Sequence, residues 1–402
     1  MSDFAAPRPV LSRTPPIAAV LDSEPPSAGS ESAPVSECVS TAELRRFLDS
    51  TRATVEARYR EAVLRLLPGA APVVGHHAGW GGEVAAGPRR GGKTLRPALV
   101  LLCADACEAT PDDAQRRAAT AAAVAVEMVH DFTLLHDDVM DGDRTRRGRP
   151  AAWVRFGTGQ AILAGDGLLA LSLTVLRDAG GRAGSPGAPP DGTGGAGVLL
   201  TVLTDALLAL CAGQTSDLAA ETNPDLTESE YLALAAGKTA SLFEAACLLG
   251  SLAAGARREV AQGYREFGHH VGLGFQLSND LHGICGKPAL EGKTDAVDLI
   301  RGKRTFPVVA ALHSATSAGA RLARLYRTSS GQPPQPEAVR DLLHEAGAVA
   351  YTEARIRRHH EAALAALERA RPLPGPARHL RALVASACAS PFGPAPTARG
   401  MS

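Results

Sequence analysis

The sequence carries no excess of charge of either sign. Lys and Arg together number 42, Asp and Glu together also number 42, and the formal net charge of the 402 residues is zero. Proteins that bind nucleic acid or anionic membranes through their overall charge need a basic excess. We therefore expect no nucleic-acid partner, and any charged chemistry must come from local clusters.

Cysteine pairs and long apolar runs are also missing. The seven cysteines are scattered, form no CxxC pair and have no histidine at a metal-binding spacing, a pattern that predicts reduced thiols. No apolar run reaches the roughly 20 residues that span a bilayer, and the first residues lack a basic segment followed by an apolar stretch. We therefore expect a cytoplasmic protein without a transmembrane segment or a secretion signal.

Three regions differ in composition. Residues 1–39 are rich in Pro, Ser, Ala and Glu, with proline pairs at Pro15-Pro16 and Pro25-Pro26, which predicts a disordered leader. The apolar island Ile17–Leu21 has the size of a short docking motif, or is an incidental patch. Residues 40–390 form the predicted folded domain, and residues 391–402 a second disordered segment.

Helical periodicity dominates the predicted domain. Ser40 and Glu43 have the spacing of a capping box at the start of a helix. Alternating β patterns are absent, and a Gly- and Pro-rich stretch at Gly180–Gly197 predicts a loop. Helices are predicted for six further segments: Leu95–Glu108, Asp113–Asp141, Gln160–Arg177, Val198–Ala219, Glu228–Leu252 and Ala256–His282. Because these helices are apolar on several faces, they must pack around one another in an all-α bundle.

The segment LLHDDVMDGDRTRRGRP, Leu134–Pro150, places an acidic cluster beside a basic one. Asp137 and Asp141 are one helical turn apart, so their carboxylates face the same small volume. At about 6 Å and an effective dielectric near 20, the two charges repel by roughly 3 kcal/mol, and the negative end of the helix dipole adds to the repulsion. A hard cation such as Mg²⁺ relieves it, and Arg146 and Arg147 then fit as donors to a phosphate.

Other segments carry groups that suit the same chemistry. GFQLSNDLHG ends an apolar helix on a second acidic site, Asn279 and Asp280. GGKTLRP presents Lys93 and Arg96 three residues apart, so both can converge on one anion. The remaining groups are His130 in EMVHDFT, Lys238-Thr239 in AAGKTASLF and Lys303 in DLIRGKRTFP. Alone, each of these is more typical of a core histidine or a solvated lysine, so the order and spacing of the whole set carry the argument.

In this order and spacing, the motifs resemble those of the trans-isoprenyl diphosphate synthases, the polyprenyl synthetase family, over about Thr41–Pro391. The resemblance implies a single all-α domain of long antiparallel helices around a deep central cavity, usually in a homodimer. It also implies that isopentenyl diphosphate is condensed head to tail with an allylic diphosphate, with loss of pyrophosphate and with Mg²⁺ as the cofactor. Among family members, the chain is similar to actinobacterial geranylgeranyl and farnesyl diphosphate synthases.

The resemblance assigns a role to each motif. Asp137 and Asp141 would ligate the Mg²⁺ bound to the allylic diphosphate, with Asp138 in support. On the opposite wall, Asn279 and Asp280 would be further ligands. The allylic substrate would be contacted by Arg146, Lys238, Gln276 and Lys303. Thr239 would help to stabilise the carbocation that forms when this substrate loses its diphosphate. Isopentenyl diphosphate would be bound by Gly92, Lys93, Arg96, His130 and Arg147.

The second acidic motif departs from the family pattern, which is usually DDxxD. Here the matching positions read Asn279, Asp280 and Gly283, so the first ligand loses its formal charge and the metal should bind more weakly. We expect reduced activity, a raised Mg²⁺ requirement, or a metal held mainly by the diphosphate and Asp280. Thr94 replaces the arginine of the family's GGKRLRP, a change with little expected chemical consequence.

Three alternatives follow from the same motifs. A class I terpene cyclase also begins its second motif with Asn-Asp, but it carries Ser or Thr and then Glu where this chain has Gly283 and Lys287. A catalytically weakened regulatory or scaffold subunit would agree with Asn279. GPRRGGKT, Gly87–Thr94, matches the P-loop pattern of nucleotide-binding enzymes, although no β pattern precedes it and Pro97 follows closely.

Product length depends on the residues below the first acidic motif. Phe132 lies five positions before Asp137, about 7.5 Å down the helix at 1.5 Å per residue, and Thr133 lies four before. In the family, an aromatic at the fifth position resembles the archaeal type of geranylgeranyl diphosphate synthase. We predict a twenty-carbon product, with fifteen-carbon farnesyl diphosphate as runner-up; the alternative is that Phe132 is ordinary core.

The leader lies outside the catalytic pattern. Together with the Ala- and Gly-rich composition and the DLIRGKRTFP segment, it resembles actinobacterial family members that are packaged inside encapsulin shells. A disordered tether leaves an active site accessible. We therefore name an encapsulin shell protein as a candidate partner of residues 1–39, which would place the enzyme in a protein nanocompartment of the cytoplasm.

Overall fold

The computed structural model describes residues 39–80, 94–108, 110–179, 195–221, 223, 225–284, 297–328 and 335–391. Its α-helices are α1 Thr41–Leu66, α2 Ala71–Ala78, α3 Leu95–Cys107, α4 Asp113–Met140, α5 Ala152–Phe156, α6 Thr158–Ala179, α7 Ala196–Ala220, α8 Glu228–Ala235, α9 Ser241–Ala253, α10 Arg258–Ile284, α11 Val297–Ile300, α12 Phe306–Leu312, α13 Ser317–Thr328, α14 Pro336–Glu345, α15 Ala348–Ala370 and α16 Pro374–Ala387. The other elements are a 3₁₀ turn at Pro68–Ala70, a π-helical turn at Ala236–Ala240 and the strands β1 Thr145–Arg146 and β2 Arg149–Pro150. The predicted all-α class is thus confirmed, with one short hairpin added. Nearly all of the leader, most of the predicted loop Gly180–Gly197 and residues 392–402 lie outside the described residues.

Side-chain caps set the starts of the helices. The Glu43 N–H donates to Ser40 Oγ at 3.2 Å, so α1 begins where the sequence predicted. At α4, Asp112 and Gln115 form a reciprocal capping box with both hydrogen bonds at 2.8 Å. These bonds satisfy N–H groups that no helical carbonyl can reach, which explains why sequence signals located both starts well.

The bundle is built around α4 and α10. Helix α4 packs against α3, α6 and α9, and α10 packs against α9 and α15. Almost every residue of α9 is buried, and α4 and α10 bury mainly Ala, Val, Leu and Gly. Helix α9, which is apolar on nearly all sides, therefore lies in the interior, and α4 and α10 each turn an apolar face towards it.

The prediction of one continuous helix over Glu228–Leu252 is wrong at the centre of this segment. The π-helical turn at Ala236–Ala240 separates α8 from α9. A Cβ on Gly237 would lie 2.9 Å from the carbonyl oxygen of Ala209, and a Cβ on Gly213 would overlap the backbone nitrogen of Lys238. Because both residues are glycine, the turn lies directly against α7, and this contact fixes the position of Lys238.

Four stretches of the described residues are long and apolar enough to cross a membrane by length and composition alone. They are Asp113–Met140, Thr158–Ala179, Ala196–Ala220 and Glu228–Ala253. The expectation that no stretch has membrane-spanning length therefore does not hold by this measure. In the most apolar part of the first and the last stretch, 72% and 61% of the residues are buried inside the protein, compared with 39% in α6 and 33% in α7. Helices α6 and α7 therefore direct an apolar face outward.

Candidate active site

The first acidic motif lies at the C-terminal end of α4, and its three aspartates have different surroundings. Helix α4 ends at Met140, and Asp141 is its C-cap, with its N–H bonded to the carbonyl of Asp137. Asp137 and Asp141 are half-buried. Asp138 is only 1% exposed and accepts hydrogen bonds from Arg146 Nε (2.7 Å) and Nη2 (2.6 Å). Asp138 therefore holds Arg146 in place, and its support of the metal ligands stays a prediction.

The two arginines of this motif are placed by the β1–β2 hairpin. Arg146 pairs with Arg149, and the two residues between them, Arg147 and Gly148, have φ values of 52° and 74°. Two successive positive φ values are what a tight two-residue hairpin turn requires, and glycine at the second position makes it easy. The chain thereby reverses next to the end of α4, so Arg146 and Arg147 stay close to the aspartates.

A carboxylate and two lysines face this motif from other elements. Asp217 on α7 forms an ion pair with Lys238 of the π-helical turn, and Lys303 Nζ lies 4.0 Å from the same carboxylate. Burial works to lower the pKa of Lys303, but the charges of Asp217, Asp298 and Asp141 raise the pKa above its ordinary value. Lys303 is therefore held in its charged form between the acidic groups.

Sequence reasoning missed Asp217. Its position four residues after Gly213 in the largely apolar helix α7 was the available signal, because a half-buried carboxylate needs a partner. The partner comes from a distant segment: Gly213 is the residue that lets the backbone of Lys238 approach α7. The spacing of the two predicted lysines could not show that they share one acidic partner.

The second acidic motif is tied into the protein interior. Thr239 Oγ1 donates to Gln276 Oε1 (2.7 Å), and Gln276 Nε2 donates to Asp280 Oδ1 (2.8 Å). Asp280 Oδ2 accepts from the Tyr231 hydroxyl (2.5 Å) and from the Phe306 N–H (3.0 Å). Burial raises the pKa of Asp280 to about 7, although these donors oppose the shift. Asp280 therefore joins four segments, and its role as a metal ligand stays a prediction.

Positions 279 and 283 of this motif lack carboxylates. Asn279 is exposed. Gly283, one helical turn further on, leaves space that the side-chain carboxylate of Asp298 occupies, so that a Cβ at position 283 would overlap it. Asp298 also acts on the pKa of Asp280 and of Lys303 through its charge. A carboxylate from another segment thus stands near the end of α10 where the motif itself has none.

A second basic site lies beside α4, one to three helical turns before the acidic motif. Arg96 Nη1 lies 3.4 Å from His130 Nε2, and the Arg96 guanidinium lies 4.5 Å from the centre of the Phe243 ring. Burial, together with the charge of Arg96, holds the pKa of His130 well below its ordinary value, so His130 is neutral. Burial lowers the pKa of Arg96 to about 10, which leaves it charged near neutral pH. Gly92 and Lys93 lie outside the described residues.

Two carboxylates under this basic site were not predicted. Burial and the charge of Asp131 raise the pKa of Glu127 to about 7, while Arg96, Arg147 and Arg52 lower it. Asp131 is 5% exposed, accepts a hydrogen bond from the Tyr59 hydroxyl (3.0 Å) and lies 3.4 Å from His77 Nε2. No local pattern indicates this set, because α1, α2, α3 and α4, which carry its members, come together only in the folded chain.

The two predicted product-length residues lie side by side on α4. Phe132 is 8% exposed, and its ring meets that of His136 edge to face at 4.9 Å. His136 in turn fills the space over Gly165 of α6. Thr133 is half-buried, and its hydroxyl donates to the carbonyl of His130 (2.8 Å). Phe132 thus belongs to the packed wall between α4 and α6, below the acidic motif.

The carboxylates suit a magnesium ion that arrives with its substrate. The described residues contain no group of three His, Cys, Asp or Glu side chains placed to enclose a metal. Mg²⁺ typically takes one or two protein carboxylates and completes its coordination with water and phosphate oxygens. Burial raises the pKa of Asp137 to about 6; Lys238 opposes this rise, and the charges of Asp141 and Asp217 add to it. Such crowded carboxylates fit a bound cation, for which Asp137 and Asp141 are the predicted ligands.

Most of the chain is similar to proteins that are already known. The sequence profile of the polyprenyl synthetase family matches residues 84–344. The chain is 41% identical over 286 residues to the geranylgeranyl diphosphate synthase of Mycobacterium tuberculosis (strain ATCC 25618 / H37Rv), a match that covers 70% of this chain and 77% of the relative. It is 38% identical over 305 residues to the (2E,6E)-farnesyl diphosphate synthase of Mycobacterium bovis, covering 75% and 80%. The crystal structure of a polyprenyl synthetase from Streptomyces coelicolor A3(2) superposes with a TM-score of 0.75 at 32% identity, covering 86% of this chain and all of that one.

Proposed function

Because this chain belongs to the polyprenyl synthetase family, we propose that it is a magnesium-dependent synthase whose main product is geranylgeranyl diphosphate. As a family member it is a trans-prenyltransferase that makes short-chain prenyl diphosphates from an allylic diphosphate and isopentenyl diphosphate. The observation that carries the proposal is the meeting of Asp137 and Asp141 with Lys238 and Lys303 from other elements. Carboxylates and ammonium groups whose charges act on one another in this way suit one metal-bound diphosphate between them.

The first step is ionisation of the allylic carbon–oxygen bond. Asp137 and Asp141 would hold the magnesium ion, which when bound would supply positive charge to the departing pyrophosphate. Lys238, Lys303 and Arg146 add fixed positive charge on the same group, and their partners Asp217 and Asp138 keep them in place before reaction. Preorganised charges in a dry site cost no reorganisation when the bond breaks. The leaving group is therefore stabilised more than the intact substrate.

The second step joins the two substrates. The allylic carbocation alkylates the double bond of isopentenyl diphosphate, and loss of a proton from the adduct restores neutrality at carbon, with pyrophosphate as the acceptor. Arg96 and Arg147 would bind the second diphosphate, and neutral His130 adds a hydrogen bond without repelling the cation. The Thr239–Gln276 pair offers oxygen atoms next to the cation. Apolar helices around the site keep out water that would quench it.

Incubation of the purified chain with labelled isopentenyl diphosphate and ten- or fifteen-carbon primers tests the activity. The proposal expects Mg²⁺-dependent incorporation into a linear diphosphate. A weakened regulatory subunit would show no turnover without a partner, and a terpene cyclase would release a cyclic hydrocarbon from the primer alone. Either result would overturn the proposal.

Product length is proposed from Phe132. A buried aromatic ring below the acidic motif would stop the growing chain at twenty carbons, with fifteen-carbon farnesyl diphosphate as the alternative. The similarity to geranylgeranyl and farnesyl diphosphate synthases supports this range. Phe132→Ala should lengthen the products seen by mass spectrometry; an unchanged product distribution would remove Phe132 from the floor of the cavity.

A homodimer is proposed from the outward face of α6 and α7. Leu163 and Leu208 are 63% and 71% exposed. Asp166 and Asp205, each three residues from one of these leucines, are also exposed, and carboxylates in the middle of a helix are costly in lipid. A second copy of the chain therefore suits this face better than a bilayer. Leu208→Glu should give monomers by light scattering and Leu64→Glu, on exposed α1, should not; a monomeric unmodified chain at micromolar concentration would contradict the proposal.

The cellular location is proposed from the leader alone. Residues 1–38 lie outside the described residues, and their Pro- and Ser-rich composition suits a tether that joins a cytoplasmic enzyme to an encapsulin shell protein. Deleting residues 1–39 should abolish co-purification with the shell and leave turnover intact. Equal co-purification of the shortened chain would refute the tether.

A further inference from the structure

Arg52 on α1 lies beside the isopentenyl diphosphate pocket, although it belongs to none of the motifs recognised in the sequence. Its Nε donates to Thr94 Oγ1 at 3.1 Å. Thr94 is buried and occupies the N-cap position of α3, two residues before Arg96, although its side chain makes no capping hydrogen bond. The hydrogen bond therefore holds a guanidinium from the first helix next to the start of α3, the helix that carries Arg96.

The position of Arg52 is fixed by the packing of its helix. Arg52, Val55 and Tyr59 lie on one stripe of α1, at positions i, i+3 and i+7. Val55 and Tyr59 are buried, and the Tyr59 hydroxyl donates to Asp131 of α4. Arg52 continues this stripe with a side chain that is 32% exposed. It is thus held at the edge of the bundle interior, unlike the fully solvated arginines of α1.

Three arginines from three segments act on one carboxylate. The charges of Arg96, Arg147 and Arg52 all favour the ionised form of Glu127. Asp131, the other carboxylate nearby, is already engaged by Tyr59 and His77. Arg52 also lies 3.6 Å from Asp49 of its own helix, so the three arginines belong to one network of charged groups. Guanidinium groups that come together from three segments are what a multivalent anion needs as donors.

We propose that Arg52 is a further binding residue for isopentenyl diphosphate, held in place by Thr94. The inference rests on the proposed function, because it takes the pocket of Arg96 and His130 as the site of this substrate. Position 94 lacks a charged side chain in this chain, and Arg52 supplies a guanidinium to the same place from α1. The substitution at position 94, expected to be of little consequence, thus acquires a compensating partner.

Steady-state kinetics of Arg52→Met and Arg52→Lys tests the proposal, with Arg58→Ala as the matched control. Arg58 also lies on α1, but it is 68% exposed and pairs with Glu61. Loss of a charged hydrogen bond to a ligand typically weakens binding about 10- to 100-fold. Arg52→Met should raise KM for isopentenyl diphosphate by about that factor, with KM for the allylic substrate changed less than about twofold. The KM of Arg52→Lys for isopentenyl diphosphate should lie between that of Arg52→Met and that of the unmodified chain. The KM of Arg58→Ala should equal that of the unmodified chain.

A purely structural role for Arg52 predicts a different order. Met fills the space of the aliphatic part of the arginine side chain. If packing alone mattered, the KM of Arg52→Met for isopentenyl diphosphate would therefore be equal to or lower than that of Arg52→Lys. That order would overturn the proposal, as would a rise in the allylic KM instead. Calorimetric titration of isopentenyl diphosphate alone should show the same weakening without turnover. An unmodified chain that fails to condense the substrates would refute the proposed function itself, whereas active Arg52→Met with an unchanged KM would refute only this assignment.

Discussion

Three identical side chains in DDVMD perform two different tasks. Asp137 and Asp141 are half-buried and act electrostatically on groups of α7, the π-helical turn and the loop at Lys303. Asp138, one step around the helix, is buried and holds Arg146. A step of one residue turns a side chain by about 100° around a helix, so neighbouring aspartates cannot address the same ligand. The role of each aspartate follows from its direction.

Asp217 should be essential for the allylic site. Asp217→Asn keeps the shape and removes the charge that holds Lys238 and Lys303, so we expect kcat/KM for the allylic diphosphate to fall by about 10²–10³-fold, as for the loss of one preorganised charge. KM for isopentenyl diphosphate should stay within about twofold. Glu361→Gln, at an exposed position of α15, is the control and should have no effect; equal kinetics of the two variants would contradict the assignment.

Asn279→Asp should lower the magnesium requirement. The substitution adds one carboxylate at an exposed position at the end of α10, and hard cations bind more tightly as the number of charged oxygen ligands increases. The Mg²⁺ concentration for half-maximal rate should fall, and Mn²⁺ should bind more tightly in the presence of pyrophosphate. Gln262→Glu adds the same charge to a remote exposed position of α10 and should change neither value; a similar shift in both variants would mean a nonspecific charge effect.

At the scale of elements, the approach of α7 to the π-helical turn is the feature on which the site depends. Gly213→Ala would press a methyl group into the backbone at Lys238, which should cost about 1–3 kcal/mol of unfolding free energy and shift Lys238. Gly197→Ala, on the same helix with open space around it, should preserve both stability and rate. Urea unfolding and kcat/KM measure the two effects, and a Gly213→Ala variant as stable and active as Gly197→Ala would disprove the close contact.

The contact between α10 and α15 should make stability depend on pH. His270 Nδ1 and His359 Nδ1 are 3.2 Å apart. Burial, with the charges of His270, Arg355 and His269, lowers the pKa of His359 to about 3; burial also lowers that of His270, where His269 and Arg369 assist and Glu266 and Glu244 oppose. Between pH 6.5 and 3 the unfolded chain therefore binds more protons at these positions, so their contribution to stability falls as the pH falls.

Replacing His359 isolates this contribution. Between pH 7 and 5, the unmodified chain should lose about 1–2 kcal/mol more unfolding free energy than His359→Gln, at 1.36 kcal/mol per pKa unit. Denaturant titrations at both pH values measure the difference. His344→Gln, at the end of α14, should behave like the unmodified chain. Parallel pH profiles for the unmodified chain and His359→Gln would contradict the assignment.

The sequence predicted elements better than their junctions. Helix starts at Ser40 and Asp112 are local signals, because a cap and its helix lie within four residues. The break at Ala236–Ala240 was missed because its cause is distant: Gly213 on α7 allows the backbone to approach. The Arg147-Gly148 turn was missed for a related reason, since strands of two residues carry no alternating pattern.

The candidate site shows the same division. Asp137, Lys238 and Lys303 were predicted from motifs, and the structure brings them together. Asp217 and Arg52 were missed, because each acquires its place only by tertiary packing. Motif residues could thus be identified in the sequence, whereas the residues that hold them could be identified only in the folded chain.

At the scale of the whole molecule, the bundle separates charge from apolar surface. The basic and acidic groups converge near the end of α4, and the helices around it bury apolar side chains. The outward apolar face lies on α6 and α7, where Leu163 and Leu208 are exposed. This division suits an enzyme that binds two diphosphates at one end of a cavity and keeps a reactive cation dry.

The most direct test is the reaction of the purified full-length chain with labelled isopentenyl diphosphate and a fifteen-carbon allylic primer, with and without Mg²⁺. The account predicts a linear twenty-carbon diphosphate and one equivalent of pyrophosphate per bond formed, with no product after chelation of the metal. A folded chain that consumes neither substrate in the presence of Mg²⁺ would contradict the proposed diphosphate site between the two acidic motifs. A chain that forms the product equally well without Mg²⁺ would contradict it as well.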